Sequence, residues 1–578
     1  MDITNYHVLG FDLDFTFAQY QTKNVTHLLH HSMTEYLIKN LKNFPENEVQ
    51  TFSTLSEKEL ELISYKGMIY DAQNGCYIVC KISEDINDPA TVCNIDENKD
   101  CRHSRYRRNS MLVQRRRSSV SPLVQSINLG RNSPSQLNSN SFDHNSKNAV
   151  NGNVPTINLL DKTLTPKKEN NLEKKLPLDA MLLTPEAPQK TALSRMNSNQ
   201  SENEGSIYSD DSSLMEDFDI PSSTTCKVVK IIKGFDEKLQ ITDPSIIKNT
   251  YKNQNYSFFK RLVNKTTICK NWHPKEKMMF SIIENNFEYG VFSAHLKLLE
   301  LYYENKLENC FYEGVQLNYD PNSKTHRKDN SNCIKKITEF WRKAIEEIFG
   351  NHTEGRYYKT LYKNPEKYLQ KMKPETLMKL ERIRDEWKIP LFLATNSPQN
   401  YSKFLLNYTI GPEWYKLFEL VLFRCKKPSF FTLANPFQAL NKDNLTAIKT
   451  TNTLGLRSIK TLASSSLNDG FYAGGNSKPV SEVFMTHPFI VEKIDKDNLE
   501  LLRILYFGDS LVSDVAANTW DSCYLNTDVA YPEWVRNIVG DDKIEVIDGE
   551  SFKNYHLIDY VRKYYANCCL DTIDDLDI

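Results

Sequence analysis

The 578-residue chain lacks the cysteine pattern of a metal knuckle or a disulfide scaffold: its 12 cysteines contain no repeated C-x-x-C pair, and Cys76 and Cys80 have no matching His/Cys cluster. That excludes a zinc module and a disulfide framework, and it fits thiols kept reduced in the cytosol or nucleus. Also missing are a basic-then-apolar leader and any apolar run near the ~20 residues that cross a bilayer. A soluble, intracellular protein of the cytoplasm, making no membrane contact, is therefore expected, and sequons such as Asn24-Val25-Thr26 carry no weight. Charge of one sign is lacking too. With 72 Lys and Arg against 74 Asp and Glu, the formal net charge is -2, which gives no global pull towards nucleic acid or anionic lipid.

What is present begins at the N-terminus. Val8-Leu9-Gly10-Phe11 is an apolar run that ends in Asp12-Leu13-Asp14-Phe15-Thr16, the form of a buried strand delivering carboxylates to a site at its C-terminal edge. In an extended strand Asp12 and Asp14 would share a face, so the chain has to leave strand geometry here if the two are to do different work. They read as a nucleophile and a proton donor. Taken alone, the pair reads equally well as turn aspartates after a strand.

Apolar periodicity then predicts helices over 26–41 and 56–64, and Asn74-Gly75 between two apolar stretches predicts a β-hairpin with the positive φ angles of a tight turn. From about Cys101 to Ser223, Ser and Asn dominate and no apolar period survives; such a segment cannot offset its ordering entropy and is expected to be disordered. It holds a basic cluster, Arg102, Arg105, Arg107, Arg108 and Arg115 to Arg117, beside Ser118 and Ser119, and the pairs Ser121-Pro122, Ser133-Pro134, Thr165-Pro166 and Thr184-Pro185. The arginines read as a solvated charge run, or as a localisation signal or a site for kinases. The segment lacks the interleaved aromatics that single-stranded nucleic acid would require, so no nucleic-acid partner is expected. Beyond it, a strand is expected at 228–232 and helices at 294–303, 334–347 and 365–387.

Three further short apolar runs end abruptly in polar residues: Ile389 to Ala394 at Thr395-Asn396-Ser397, Phe418 to Phe423 near Lys426-Lys427-Pro428, and Ile504 to Phe507 at Gly508-Asp509-Ser510, with Asp514 following. Continuous apolar strands separated by helical segments predict an α/β fold, a Rossmann-like parallel sheet with ligands bound at the carboxyl ends of its strands. The expected division is a catalytic core over 1–20 and 385–565, a large inserted α+β cap domain over 21–100 and 224–384, the disordered insertion 101–223, and an acidic tail 566–578.

In order and content, Asp12-Leu13-Asp14-Phe15-Thr16, Thr395, Lys427 and Gly508-Asp509 with Asp514 resemble the four motifs of the haloacid dehalogenase superfamily. The resemblance implies an aspartyl-phosphate formed on Asp12, Asp14 as acid and base, and Thr395 and Lys427 on the phosphoryl oxygens. It also implies a Mg2+ ion held by Asp12, Asp509 and the backbone carbonyl of Asp14, with Asp514 orienting the metal shell or Lys427. A proton donor at Asp14 points to the phosphatase and mutase branches, since dehalogenases have no need of one, and ion pumps need a membrane domain. Singly, each cluster has a plain structural counterpart: a helix cap at Thr395-Asn396, a surface lysine at Lys427, a loop and cap at Asp509 and Asp514.

In longer context, Phe11 to Thr16, Gly67 to Gly75, Phe392 to Ser397, Lys427-Pro428-Ser429-Phe430-Phe431, Tyr472 to Asn476 and Ile504 to Ser510 are similar to the cytosolic purine 5′-nucleotidase family, over roughly residues 5–100 and 225–545. This implies hydrolysis of a nucleoside monophosphate or a related phosphometabolite, Thr16 and Asn396 at the substrate, a base-stacking Phe287, and Arg342 and Glu346 at base or sugar. It further implies a homo-oligomer. The sequence departs from the family where Glu288-Tyr289-Gly290 follows Phe287, at the transposed hairpin glycine and asparagine, and in a tail reduced to Asp574-Asp575-Leu576-Asp577. A second reading, a non-catalytic regulatory or binding protein controlled by phosphorylation of the insertion, stands beside the enzyme.

Overall fold

The computed structural model describes residues 3–85, 225–251, 280–321, 327–350, 355–441, 444–447, 470–494, 501–516, 518–525, 533–539, 544–547, 550–556, 559, 562 and 566–576. The expected disordered insertion, with its arginine cluster and Ser/Thr-Pro pairs, lies outside them. All the described residues belong to one of the chain's two compact units, 1–115 with 217–578.

The fold is α/β, organised by an eight-stranded sheet. Its order is Phe437–Ala439, Phe471–Gly474, Leu420–Phe423, Leu391–Ala394, Val8–Phe11, Ile504–Gly508, Asp521–Leu525, Cys568–Leu570. Every pairing is parallel except that of the edge strand Phe437–Ala439. The four strands expected from the sequence, Val8–Phe11, Leu391–Ala394, Leu420–Phe423 and Ile504–Gly508, are apolar throughout and buried on both faces, whereas the other four carry polar residues or are incompletely buried and are not anticipated. Alternation survives in the packing: Leu9, Phe11, Leu391, Leu393, Leu505 and Phe507 enter one core, while Val8, Phe392, Ala394, Ile504 and Tyr506 enter the other. Val8–Phe11 is central. The chain fills one side of it first, through Leu391–Ala394 and Leu420–Phe423, and then crosses to Ile504–Gly508 on the other side, so the strand order reverses at this strand and opens a crevice at its carboxyl end.

A second sheet of seven strands is antiparallel throughout and contains Ile69–Asp71, Cys76–Asp85, Thr225–Ile232 and Phe280–Ile282. The expected hairpin is present, with a different turn. Asn74 does not adopt positive φ; only Gly75 does (φ 60°). The Asp71 carboxylate instead accepts the backbone N–H groups of Gln73 and Asn74 and the Asn74 amide, so an Asx-type loop makes the reversal. Two C-terminal strands, Ile544–Ile547 and Glu550–His556, join this sheet through Cys76–Asp85, although 385–565 is expected in the core. Cys568–Leu570 closes the edge of the parallel sheet, within the stretch expected as a tail.

The single helix expected over 365–387 is two, Pro365–Tyr368 and Pro374–Asp385. Lys373 is held extended ahead of Pro374 (ψ 138°), and the residues between the helices pair with the N-terminal segment: Gln21 N donates to Tyr368 O, and Gln370 N donates to Gln19 O at 2.8 Å. The two connections between the sheets are thus bonded side by side. The helices Thr22–Asn40, Glu57–Ile63 and Phe287–Tyr303 cover the longer expectations, and Ser56 caps the second with a reciprocal bond to Glu59. No helix among the described residues is long and apolar enough to cross a membrane.

Between the helices Thr22–Asn40 and Phe287–Tyr303 lies His30, fully enclosed, with Nε2 at 3.2 Å from the Phe52 carbonyl and Nδ1 at 2.8 Å from Ser293 Oγ. Burial, with the nearby Lys297 ammonium, lowers its pKa to about 3. The folded state therefore refuses a proton that the unfolded chain accepts below about pH 6.5, and the stability this gives is full above that value and lost as pH falls. Chemical denaturation at pH 7.5 and 5.5 is expected to show a loss of ~1 kcal/mol from this residue, absent from His30→Gln.

Candidate active site

Four parallel strands end together, and their next residues supply the site. Asp12 stays in the ladder through its N–H to Phe507 O (2.8 Å). The strand ends at Phe11, a turn begins at Leu13 between the two aspartates, and Phe15 beyond them takes a positive φ of 52°. As a result they point to different partners. Asp12 Oδ1 lies 2.8 Å from Lys427 Nζ. Asp14 accepts the Tyr20 hydroxyl on Oδ1 and the Ser397 hydroxyl on Oδ2, each at 2.6 Å.

Lys427 is buried. Its Nζ donates to Asp514 Oδ1 at 2.6 Å and to the Tyr506 hydroxyl at 3.0 Å, and Tyr506 donates on to Ala394 O. Burial alone would lower the Lys427 pKa, but Asp12 and Asp514 outweigh it and raise the group well above its ordinary value. The side-chain amide of Asn396 holds the Lys427 main chain from both ends, accepting its N–H at 2.6 Å and donating to its carbonyl at 3.1 Å. Thr395 Oγ1 accepts the Ser397 N–H at 3.1 Å, which leaves its hydroxyl proton free to donate. Thr16 Oγ1 is enclosed and has no hydrogen-bond partner.

At the end of Ile504–Gly508, Asp514 folds back over Gly508. A Cβ at Gly508 would lie 2.5 Å from the Asp514 carboxylate, so only glycine admits this approach. The Ser510 N–H holds Asp514 Oδ2 at 3.1 Å. Asp509 is approached from the second sheet: Lys66, whose neighbour Gly67 bonds to Ile283, places Nζ 3.1 Å from Asp509 O and 3.8 Å from Asp509 Oδ2. Burial raises the Asp509 and Asp514 pKa values above the carboxylate range, against the opposing charges of Lys66 and Lys427.

Asp12, Asp509 and Asp514 each offer an oxygen within 4.8 Å of the others. All three are buried, and Asp509 Oδ2 has no aligned donor. An all-oxygen, anionic donor set of this size suits a hard divalent cation. The Asp14 side chain is not in the group.

Phe287 opens its helix beside this loop, with ring centroids 4.8 Å from Phe15, 5.1 Å from Tyr20 and 5.9 Å from Tyr357. Arg342 and Glu346 are not brought to the site. Arg342 is half-buried with its charge beside Tyr70, Glu346 is exposed, and among the described residues the two form no ion pair. Sequence reading missed Lys66, Tyr506 and Tyr20. Lys66 and Tyr20 carry no signal of their own, because their roles depend on where the second sheet docks, and Tyr506 looks like one more apolar strand residue.

Residues 306–527 match the model of the 5' nucleotidase family. Among curated proteins, human 5'-nucleotidase domain-containing protein 2 is 29% identical over 190 residues, covering 32% of this chain and 30% of its own. Human 5'-nucleotidase domain-containing protein 1 is 26% identical over 193 residues, 31% of this chain and 37% of that protein. The match thus spans about a third of each relative's length. The family segment holds Thr395, Lys427, Asp509 and Asp514 but not Asp12 or Asp14, which reach it only because Val8–Phe11 pairs between its strands.

A cation held by this carboxylate group would stabilise the folded chain. Adding Mg2+ at one hundred times its dissociation constant is expected to raise unfolding free energy by about 2.7 kcal/mol. Thermal denaturation with and without the ion should show the shift, and Asp509→Asn should remove most of it.

Proposed function

We propose that this chain is a magnesium-dependent phosphomonoesterase of the haloacid dehalogenase type, a 5'-nucleotidase hydrolysing nucleoside 5'-monophosphates in the cytoplasm. The parallel sheet is its catalytic core and the second sheet with its helices the cap. The observation that carries this reading is the meeting of Asp12 with Lys427, Asp509 and Asp514 at the carboxyl edge of the central strands, the last three lying in the segment that matches the 5' nucleotidase family.

Asp12 is the nucleophile. Its carboxylate oxygen bonds to phosphorus as the ester P–O bond breaks, giving an aspartyl-phosphate. Lys427 and the free hydroxyl proton of Thr395 bind the phosphoryl oxygens, and Tyr506 and Asn396 hold the Lys427 side chain and main chain in place. Asp14 gives its proton to the leaving oxygen and then takes one from the water that cleaves the acyl phosphate, so that phosphate leaves and both aspartates are restored. Burial, with the Asp12 charge, raises its pKa to about 6, against the bonds from Ser397 and Tyr20, which suits a group that must both give and accept a proton near neutrality. A magnesium ion bound by Asp12, Asp509 and Asp514 would neutralise the charge between nucleophile and phosphate.

Phe287, set between Phe15 and Tyr357 at the start of its helix, is the cap residue placed to face a base. The binding-only reading is not favoured, because a buried group of like charges without a cation is a cost that a scaffold has no reason to keep.

The test is phosphate release from adenosine, guanosine, inosine, cytidine and uridine 5'-monophosphates with Mg2+, for wild type and Asp12→Asn. The variant is expected to lose at least ~10³-fold; equal release from the two proteins, or none from either, overturns the assignment. Phe287→Ala is expected to raise KM for the preferred mononucleotide ~10-fold and flatten discrimination among bases, at nearly constant kcat.

A further inference from the structure

Asp14 is the near end of a chain of phenols. The Tyr20 hydroxyl donates to Asp14 Oδ1 at 2.6 Å, the hydroxyls of Tyr20 and Tyr401 are 2.9 Å apart, and those of Tyr401 and Tyr357 are 3.2 Å apart. All three tyrosines are buried, at 4%, 2% and 1% exposure for Tyr20, Tyr401 and Tyr357, so water does not compete for these bonds.

The direction of the chain follows from counting protons. A phenol has one to give. Tyr20 gives its own to Asp14, so Tyr401 must donate to Tyr20, and Tyr357 to Tyr401. Asp14 Oδ2 meanwhile accepts from Ser397. With each carboxylate oxygen already receiving one hydrogen bond, a proton carried by Asp14 sits on a lone pair that neither donor occupies.

The three tyrosines come from different parts of the fold. Tyr20 lies on the connection that pairs with Leu369, Tyr401 on the helix Gln399–Thr409 after a core strand, and Tyr357 on the helix Arg356–Lys363 that precedes the return connection. The chain of phenols therefore runs from the acid carboxyl across the point where core and cap are joined.

We infer that Tyr20 is a positioning residue for proton delivery, holding the Asp14 carboxyl in the orientation that protonates the leaving oxygen, with Tyr401 and Tyr357 fixing its hydroxyl. This rests on the phosphomonoesterase reading. The step served is the first one: the Asp12 oxygen bonds to phosphorus, the ester P–O bond breaks, and the departing alkoxide takes the Asp14 proton. An ester whose alcohol departs as a stable anion needs no such proton. Tyr20 should therefore matter for an alkyl phosphate and not for p-nitrophenyl phosphate, a contrast that a merely structural role would not produce.

The experiment measures kcat/KM with Mg2+ for the mononucleotide that wild type cleaves fastest and for p-nitrophenyl phosphate, in wild type, Tyr20→Phe and Tyr401→Phe. Because kcat/KM reports only steps up to formation of the aspartyl-phosphate, later use of Asp14 as a base does not enter. For Tyr20→Phe we expect a loss of ~10-fold or more on the mononucleotide and less than ~3-fold on the aryl ester, with a smaller shift of the same sign in Tyr401→Phe. Equal losses on both esters, or no loss on either, overturn the positioning role and leave the phosphatase assignment standing. If wild type cleaves neither ester, both fall together. Should Tyr20→Phe not fold, Tyr401→Phe decides alone: a mononucleotide-to-aryl ratio lowered at least ~2-fold supports the inference, and an unchanged ratio overturns it.

Discussion

The structure depends on one electrostatic constraint, the confinement of three carboxylates with too little positive charge. Asp12, Asp509 and Asp514 present oxygens within 4.8 Å of one another in a buried crevice. At an effective dielectric near 20, each such pair repels by about 3 kcal/mol. Lys427 touches two of the three, and Lys66 stands near the third at 3.8 Å. When all three aspartates are ionised, two ammonium groups leave an excess negative charge at the place where the proposed reaction binds a phosphate dianion. A divalent cation reverses that sign, and this is why the site reads as a metal-assisted one.

Much of the surrounding architecture serves to keep these charges in place. The central strand runs between two neighbours that register residue by residue with it, so Asp12 cannot slip relative to Asp509 or Thr395 without breaking two ladders. Asn396 ties the Lys427 loop to the loop after Leu391–Ala394. Gly508 permits Asp514 to lie against the backbone. These are local devices, and each would be unremarkable alone.

Legibility in the sequence tracks how local each determinant is. The core strands could be read because a strand covered on both faces is apolar without interruption, and the polar residues that stop it mark its carboxyl end. The same pattern puts Asp12, Thr395, Lys427 and Asp509 side by side at the strand ends. What was not legible is relational. Lys66 precedes a hairpin and looks like a surface residue until that hairpin docks on Asp509. Arg342 and Glu346, one turn apart on a helix, looked like a ligand-binding pair, yet the register of that helix turns Arg342 towards Tyr70 and leaves Glu346 in solvent. The break at Pro374 was masked by good helical periodicity on both sides, although the pairing of Leu369 with Tyr20 needs extended backbone there.

The second sheet is built from widely separated stretches of chain: the N-terminal hairpin, strands before and after the helix Pro244–Thr250, and the C-terminal pair Ile544–Ile547 and Glu550–His556. After leaving that sheet, the chain adds Cys568–Leu570 to the far edge of the other. The polypeptide therefore laces the two layers together at both of its ends and does not loop one out of the other as a removable insert. In mechanical terms, the layers are stitched rather than hinged on a single seam, and whatever relative movement they have must be small enough to leave the C-terminal stitches intact.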